Sequence, residues 1–467
     1  MKHKEIKTYR IEEIVSDELV FVPNRGLARI CSFRSKQAIQ LKAGTCISDA
    51  VVDLTSFHNE EVIKISTAIL KKLNIPSDIS VKVNYNQGFN QLSLGPILGL
   101  YAIRTGSASN PYGEINRLIQ EIQLAGQRNG ALVYVFGPQN IDYSKLTLTG
   151  YYFKFKSKRW VKRKFPIPDV VYDRVLSRRL QRKPRVRRTR NFLIDTCNSN
   201  YFNKSYLDKW DVYKHLSPNS TIRRHMPETR LCVDMNDIYY MLNRYRQIYI
   251  KPVNGSHGKG ICWVTKNRYG YYGHYINWQG DESAWCVGHP QELSKFVGRL
   301  IRRKRYIVQQ GLNLSYANSK PADIRVLMQK NSEGDWKFTT FIGRVAADGS
   351  KVSNFEHGGS LTSVYYILKR NAGKHTSYRT LKTAIINYSI DVCNQLESSM
   401  QIKFGELGLD LAMDVYGYLW LIEVNSRPAR DISTDVQRIP QSARLSSRRI
   451  IDYAGYLAGF TVRPGGE

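Results

Sequence analysis

The sequence predicts a mixed α/β (α+β) protein, and three observations support this fold class. Its length of 467 residues is too great for one hydrophobic core, so two or three domains are expected. Apolar runs at 95–103 and 131–138 flank a segment with apolar residues at helical spacing, which is the pattern of a strand–helix–strand unit with parallel strands. Between residues 248 and 423 most segments alternate polar and apolar residues, as strands with one buried face do.

These patterns divide the chain into three regions. Residues 1–92 predict a small β-rich N-terminal domain with one helix over 61–72. Residues 93–195 contain the strand–helix–strand unit and a basic segment, and residues 196–467 contain the remaining helices and alternating strands. The second boundary is expected near the basic loop around 182–190, because this loop contains Pro184.

Composition excludes several broad classes of protein. Hydrophobic residues form 42% and aromatic residues 11% of the chain, which is enough to build buried cores and argues against disorder. No segment approaches the roughly 18 uninterrupted apolar residues of a membrane span, and the N-terminal residues lack the apolar block of a secretory signal. The seven cysteines include no Cys-x-x-Cys pair, so a cytoplasmic protein with reduced thiols is expected, not a disulfide scaffold.

The charge of the chain is strongly basic and unevenly distributed. Lys and Arg number 70 against 39 Asp and Glu, which gives a net charge of +31. Residues 154–190 hold sixteen Lys and Arg but two acids, Asp169 and Asp173. This segment favours a polyanionic partner such as nucleic acid, an anionic polymer or an acidic assembly surface, and a solvated basic face is the alternative. We expect it to serve attachment or capture of an acceptor, not phosphate chemistry.

A glycine-rich segment at 248–264 is the first candidate for phosphate binding. A predicted strand carries Lys251, and the following loop carries four small residues. These are Gly255, Ser256, Gly258 and Gly260. Glycines allow backbone N–H groups to approach an anion, and a lysine adds a positive charge beside the same ligand. The segment is not a P-loop, because a second strand follows it where a P-loop has a helix. A plain glycine-rich hairpin is the alternative.

The segment 405–428 predicts a site for a hard metal ion. Asp410 lies on one predicted strand, and Glu423 and Asn425 lie on the next strand after a turn near Gly417. Residues two apart on a strand share a face, so Glu423 and Asn425 point the same way and Asp410 lies opposite them. Two carboxylates and an amide oxygen suit Mg²⁺ beside phosphates. An unpaired inward carboxylate in such an apolar strand would be costly without a role of this kind.

Taken together, these segments resemble the ATP-grasp superfamily. The resemblance rests on Lys251 with its loop, on YIVQQGL at 306–312, on ADIRVL at 322–327 and on the spacing of the three metal-site residues, which is that of D-alanine–D-alanine ligases. The phrases FPIPDVVYDRV, KPVNGSHGKGI and GELGLDLAMD are most similar to the YheC/YheD-like branch, which is associated with the spore coat of spore-forming Firmicutes. The match covers residues 94–467 and implies an ATP-grasp fold preceded by a pre-ATP-grasp βαβ domain.

The resemblance implies ATP and Mg²⁺ as cofactors, with two ions expected, and assigns a role to each candidate residue. The residues implied for ATP are Lys209, Lys251, Gly255, Ser256, Gly258 and Gly260 at the phosphates, Gln309, Gln310 and Gly311 at adenine, and Asp323 at ribose. The implied metal ligands are Asp410, Glu423 and Asn425. The implied catalytic residues are Arg325, Arg344 and Asn425, of which the arginines would face the γ-phosphate or a substrate carboxylate. Residues 354 and 357–359 resemble a substrate-side loop, and an ordinary surface position is the alternative for Lys209.

The implied function is a ligase that joins a carboxylate to an amine, or to a related nucleophile, through an acylphosphate formed with ATP. Such chemistry needs positioning and charge neutralisation, and no covalent enzyme nucleophile. The sequence names neither substrate; a polyanionic acceptor and association with the endospore coat are expectations. A non-catalytic, nucleotide-binding coat protein is one alternative. A basic nucleic-acid-binding protein is the other, although the basic segment lacks the interleaved aromatic residues and glycines of a stacking platform.

Overall fold

The described part of the chain in this computed structural model forms a closed barrel followed by three sheets. The described residues are 7–55, 60–255, 258–314, 316–317, 320–346, 360–371, 377–429 and 441–461. Over these ranges, no helix has the length and apolar character needed to cross a membrane.

The N-terminal region forms the closed β-barrel. Its strands, in the order β1-β5-β2-β4-β3-β7-β6, are β1 Thr8–Ile14, β2 Val20–Val22, β3 Ala38–Ala43, β4 Cys46–Val52, β5 Val62–Ser66, β6 Ser80–Asn86 and β7 Gln91–Gly95. Its helices are α1 Arg25–Cys31 and α2 Thr67–Leu73. Alternation along β3 buries Ile39, Leu41 and Ala43. The barrel corresponds to the predicted β-rich domain, although its last strand extends to Gly95, beyond the boundary predicted at 92.

The helix predicted over 61–72 is wrong in its first half. The chain forms strand β5 up to Ser66, and the helix begins only at Thr67. Strand β5 lies between β1 and β2, so Val62, Ile63 and Ile65 are all buried. Because residues on both faces of this short strand are apolar, their spacing imitates one face of a helix.

A mixed sheet follows the barrel and contains the predicted strand–helix–strand unit. Its strands are β8 Ile97–Tyr101, β9 Leu132–Phe136, β10 Ile141–Asp142, β11 Thr147–Lys154, β12 Arg159–Pro166, β13 Val170–Asp173 and β14 Asn200–Phe202. The order is β10-β11-β9-β8-β13-β14, with β12 paired to β11 in a hairpin. Helix α3, Asn116–Arg128, connects the parallel strands β8 and β9, as predicted, and buries Leu118, Ile119 and Ile122. Strand β14 joins this sheet although it lies beyond residue 195.

Two short helices, α4 Arg178–Gln181 and α5 Pro184–Asn191, lie in the loop between β13 and β14. Ser177 caps α4 by accepting a hydrogen bond from Leu180 N, and Pro184 opens α5. These helices contain much of the basic segment.

The central sheet is antiparallel and has the order β15-β20-β16-β17-β18-β19. Its strands are β15 Thr229–Cys232, β16 Gln247–Pro252, β17 Cys262–Asn267, β18 Gly270–Ile276, β19 Glu282–Val287 and β20 Tyr306–Gln310. The helices of this region are α6 Lys209–Leu216, α7 Ser220–Arg224, α8 Met235–Tyr245 and α9 Pro290–Arg303. Helices α8 and α9 cover the central sheet with Met241, Leu242, Leu293 and Val297, whereas α6 contacts both β15 and the C-terminal sheet.

The C-terminal sheet is also antiparallel and has the order β24-β23-β22-β25-β26, with β21 paired to β22. Its strands are β21 Tyr316–Ala317, β22 Lys320–Lys330, β23 Trp336–Val345, β24 Ser360–Thr362, β25 Glu406–Met413 and β26 Leu419–Asn425. Its helices are α10 Val364–Asn371, α11 Tyr378–Met400 and α12 Gln441–Leu457. A turn with Gly417 at a positive φ of +81° joins β25 to β26, which confirms the predicted hairpin.

A buried ionic cluster joins the middle sheet to the C-terminal hairpin. Asp173, at the end of β13, is fully buried and binds Arg190 at 2.7 Å and Arg427 at 2.8 Å. The Tyr201 hydroxyl donates a third hydrogen bond to the same carboxylate at 2.6 Å. Such a carboxylate is tolerated inside the protein because cations and donors surround it. The cluster therefore fixes the position of the chain just after β26.

Asp173→Asn should destabilise the protein strongly. The substitution keeps the shape of the side chain but leaves the Arg190 and Arg427 guanidinium groups buried without a counter-charge. We expect the free energy of unfolding, measured by urea titration, to fall by about 3–5 kcal/mol. Asp195→Asn, at an exposed position near the end of α5, is the matched control and should leave it nearly unchanged. Equal stability of the two variants would contradict the role given to this cluster.

Candidate functional site

Two lysines from separate elements meet at the glycine-rich loop. Lys209 is the first residue of α6, and Lys251 lies near the end of β16. The Lys209 Nζ donates a hydrogen bond to Gly255 O at 2.8 Å and forms an ion pair with Glu423 Oε1 at 3.3 Å. The Lys209 backbone N–H also donates to Val253 O at 3.1 Å. The start of α6 is therefore tied both to the loop and to β26.

Lys251 is held by strand β20, which carries residues implied for adenine. Its Nζ donates to Gln309 Oε1 at 2.6 Å, and the Gln309 amide donates to Thr229 Oγ1 at 2.9 Å. Burial and repulsion from Lys209 lower the pKa of Lys251 to about 8, while Glu423 opposes this shift. An anion between the two ammonium groups would offset their repulsion.

The backbone of the loop requires glycine at two of the predicted positions. Gly258 and Gly260 have positive φ angles of +71° and +75°. A Cβ atom at Gly260 would also lie 2.7 Å from the ring of Trp278. Ser256 lies outside the described residues, as do residues 354 and 357–359, so their roles stay predictions.

The three residues implied for adenine do not share one environment. The Gln309 side chain contacts Lys251. Gln310 instead pairs with Glu228, through its backbone N–H at 2.8 Å and its side-chain oxygen at 3.1 Å. The N–H of Gly311 donates to a carbonyl at the start of β16 at 3.0 Å. Of the three, Gln309 is the residue that lines the neighbouring cleft.

A narrow cleft with a cavity volume of about 30 Å³ lies beside these groups, between the central and C-terminal sheets. Its lining combines the polar side chains of Lys209, Gln309 and Glu423 with apolar residues that include Ile307 and Leu421. Such a mixed lining suits a flat apolar ring joined to an anionic group. A larger depression of about 580 Å³ lies between α7 and α11, but the residues that line it are amides, hydroxyls, carboxylates and one isoleucine, with no cation for an anionic ligand.

Next to Glu423, a buried cluster of two arginines and two aspartates crosses the C-terminal sheet. Arg325 is the register partner of Asp410 and contacts both of its carboxylate oxygens, one of them at 3.0 Å. Arg344 lies 3.1 Å from Asp410 and donates to Asp323 at 2.6 Å. Although burial opposes ionisation, Arg325 and Arg344 lower the pKa of Asp410. The arginines implied for catalysis are thus engaged with carboxylates in this structure.

The three residues implied as metal ligands lie together, as the sequence predicts. Glu423 is the register partner of Asp410, and Asn425 Nδ2 lies 3.5 Å from Asp410 Oδ2. The Glu423 side chain is 31% exposed and pairs with Lys209. Across the described ranges, no three His, Cys, Asp or Glu side chains gather as a metal cluster. Two carboxylates and an amide oxygen nevertheless suit Mg²⁺, with Glu423 as the more accessible charge because arginines surround Asp410.

The part of the chain that carries these groups matches a known family. The family described as YheC/D like ATP-grasp matches residues 198–457, which is more than half of the chain. The chain belongs to this YheC/D-like ATP-grasp family. The ATP-grasp fold predicted from the sequence is thereby confirmed.

The chain is also similar to two relatives and to one solved structure. The endospore coat-associated protein YheD of Bacillus subtilis (strain 168) is 25% identical over 405 residues, which cover 86% of this chain and 87% of YheD. The endospore coat-associated protein YheC of the same organism is 22% identical over 300 residues, covering 63% of this chain and 80% of YheC. D-alanyl-alanine synthetase A from Vibrio cholerae O1 biovar eltor str. N16961 aligns at 10% identity and a TM-score of 0.43, covering 79% of this chain and 98% of that structure.

In this ATP-grasp chain, Arg178 borders the site although the sequence did not single it out. It opens α4 and donates to Asn254 Oδ1 and to Leu207 O, each at 2.8 Å. Its guanidinium also lies over Tyr206, 4.6 Å from the ring centroid, and Arg427 lies 4.5 Å from the same centroid. Arg178 is one cation among many in the basic segment, so neither spacing nor composition distinguished it.

The basic segment, which is expected to serve attachment or capture of an acceptor, also makes contacts inside the protein. Arg178 contacts the glycine loop, while Arg174 and Arg190 are buried in ion pairs with Glu406 and Asp173. The physical reason is that Asp173 and Glu406 are fully buried, and buried carboxylates need cations beside them. The segment therefore supplies structure and part of the site as well as exposed charge.

The stability of the protein should depend on pH through Lys251. Its pKa is about 8 in the folded protein, compared with about 10.4 when unfolded, so the folded protein binds fewer protons between these values. Relative to Lys251→Met, the wild type should lose about 1–2 kcal/mol of unfolding free energy as the pH falls from about 10.4 to about 8, and no more below. Urea titrations at several pH values measure this difference. For the control Lys266→Met, at an exposed position, the difference in unfolding free energy from the wild type should not change with pH. If the difference for Lys251→Met also stays constant with pH, the buried placement of Lys251 is contradicted.

Proposed function

We propose that the protein is an ATP-dependent ligase that joins a carboxylate to an amine or a related nucleophile. The observation that carries the proposal is the meeting of Lys209, Lys251 and Glu423 at the glycine loop of an ATP-grasp family member. Lysines suit the phosphates of a nucleotide, and a carboxylate suits the metal that accompanies them. The convergence of these side chains supports binding of a nucleotide and a metal ion at one place.

ATP is the proposed substrate of the cleft. Its phosphates would contact Lys209, Lys251 and the backbone of the loop at 255–260, and its adenine would lie against the apolar lining beside Gln309. The lowered pKa of Lys251 supports this arrangement, since phosphates near two ammonium groups would favour the protonated lysine. Asp323 is proposed to bind ribose, which requires its ion pair with an arginine to open.

Mg²⁺ is the proposed metal, with Asp410, Glu423 and Asn425 as its ligands. When bound, it would neutralise phosphate charge during phosphoryl transfer. The protein prepares these ligands with its own cations. Lys209 holds Glu423 near the loop, and Arg325 favours the ionised form of Asp410.

In the proposed reaction, an oxygen of the substrate carboxylate bonds to the γ-phosphorus as the bond from that phosphorus to the oxygen of ADP breaks. The amine then attacks the acyl carbon, inorganic phosphate leaves, and the amine loses a proton. Arg325 and Arg344 would orient the carboxylate or the γ-phosphate with their planar guanidinium groups, and Asn425 would support them. Because the enzyme supplies positioning and charge, it needs no covalent nucleophile.

A second candidate is a nucleotide-binding protein of the spore coat without ligase activity. It is favoured by the description of the relatives YheD and YheC as endospore coat-associated proteins. Association of this protein with the coat, after synthesis in the cytoplasm, is compatible with both candidates. Formation of a ligated product together with ADP distinguishes the two candidates.

Glu423→Gln should abolish the ligase activity without unfolding the protein. Glutamine keeps the size of the side chain but removes a charge that the metal needs, so ADP release should fall at least about 100-fold. The assay screens amino acids, acidic peptides and spore extracts for ADP release and identifies products by mass spectrometry. Glu333→Gln, in an exposed turn of the same sheet, is the control. Equal turnover of the two variants would contradict the metal assignment, and ATP binding without a product from any substrate would favour the second candidate.

A further inference from the structure

Exposed cations without carboxylate partners cover helices α4 and α5. This α4–α5 basic surface consists of Arg179, Arg182, Lys183, Arg185, Arg187 and Arg188. Among the described residues, the ion pairs of the basic segment 154–190 are made by Arg174 and Arg190. The six surface cations therefore have no acidic partner within the described part of the chain. Their charge is therefore available to a molecule outside the fold.

The α4–α5 basic surface is unfavourable for the helices that carry it. The first turn of α5 has no acid and contains Arg185, although the N-terminus of a helix favours negative charge. Lys183 and Arg187 are four residues apart and Arg185 and Arg188 are three apart, so like charges face each other on the helix surface. A bound polyanion would reverse both effects, since it would place negative charge beside these groups.

The surface begins at the candidate active site. Arg178, which precedes the first of the six cations, donates to Asn254 beside the glycine loop and to Leu207 O, and both acceptors are neutral. Its guanidinium thus donates to neutral acceptors at the edge of the cleft, while the charges of Glu423 and Asp208 favour its protonated form. At the other end of α4, the amide of Gln181 lies against Arg427, which follows the last strand of the metal site. Helix α4 therefore touches both the glycine loop and the chain beyond Asn425.

We propose that the α4–α5 basic surface binds an acidic polypeptide and presents one of its side-chain carboxylates to the ATP site. This inference rests on the proposed function, for which the polypeptide supplies the carboxylate that is activated. Guanidinium groups suit carboxylates because their planar N–H donors match two oxygens at once. Single-stranded nucleic acid fits less well, since stacking of bases needs exposed rings. Two rings near α5 are engaged with other groups: Phe192 packs on Tyr143 at 4.7 Å, and Arg188 lies over Tyr143 at 4.8 Å.

Binding of a short fluorescein-labelled oligoglutamate to the full chain, followed by fluorescence anisotropy, tests this proposal. The triple variant Arg182→Gln, Arg185→Gln and Arg187→Gln should raise the Kd about tenfold or more, because three charge contacts are lost. The control triple, Lys154→Gln, Lys156→Gln and Arg159→Gln, removes the same charge from exposed positions of the β11–β12 hairpin. It should change the Kd less than about twofold, because exposed charges beyond about 10 Å are screened.

Three results would overturn the proposal. In the first, the chain does not bind oligoglutamate; in the second, the two triple variants weaken oligoglutamate binding equally. In the third, an oligothymidylate of matched charge displaces the labelled peptide as effectively as unlabelled oligoglutamate does. Calorimetric titration with ATP separates this inference from the proposed function. Unchanged ATP affinity in both triple variants is expected. If the wild-type chain binds oligoglutamate through this surface but binds no ATP, the proposed function is wrong. If the chain binds and turns over ATP but the surface variants leave its affinity for oligoglutamate unchanged, this inference alone is wrong.

Discussion

The buried carboxylate of Asp173 determines where the parts of the site lie. It binds Arg190 from α5 and Arg427 from the chain after β26, a contact between residues 254 positions apart. Because Arg427 stands two residues after Asn425, its anchorage fixes the end of the strand that carries Glu423. The same cluster holds the basic helices beside that strand. A buried charge with two cationic partners permits few other arrangements, since loss of one partner would leave a charge unpaired in a low-dielectric interior.

The balance of charge differs between the two sides of the site. Toward the C-terminal sheet, Asp410 and Asp323 are neutralised by Arg325 and Arg344, and all four side chains are buried. Toward the cleft, two lysines share one accessible carboxylate, and Arg178 adds a further cation with neutral acceptors. Positive charge therefore exceeds negative charge where a nucleotide would bind. Such an excess, fixed before the ligand arrives, is the property that phosphate binding and phosphoryl transfer require.

Local patterns predicted those parts of the fold and site that depend on neighbouring residues. The parallel strands around α3 and the hairpin that places Asp410 opposite Glu423 follow from alternation and turn chemistry, and the structure contains both. The strand at 62–66 has the apolar spacing of a helix because buried apolar residues, Val62 on one face and Ile63 and Ile65 on the other, occur on both of its faces. The partners of Asp173 and the position of Arg178 could not be predicted, because they arise from contacts between distant segments that no local periodicity records.

The central claim is that four separate segments form one nucleotide site, and hydrogen–deuterium exchange with and without Mg²⁺ and ATP tests it most directly. The account predicts slower exchange on ligand binding in peptides that cover the start of α6, the end of β16 with its loop, β20 and β26. Peptides of the N-terminal barrel should exchange at the same rate in both conditions. Protection confined to one segment, or to elements outside these four at saturating ATP, would contradict the account.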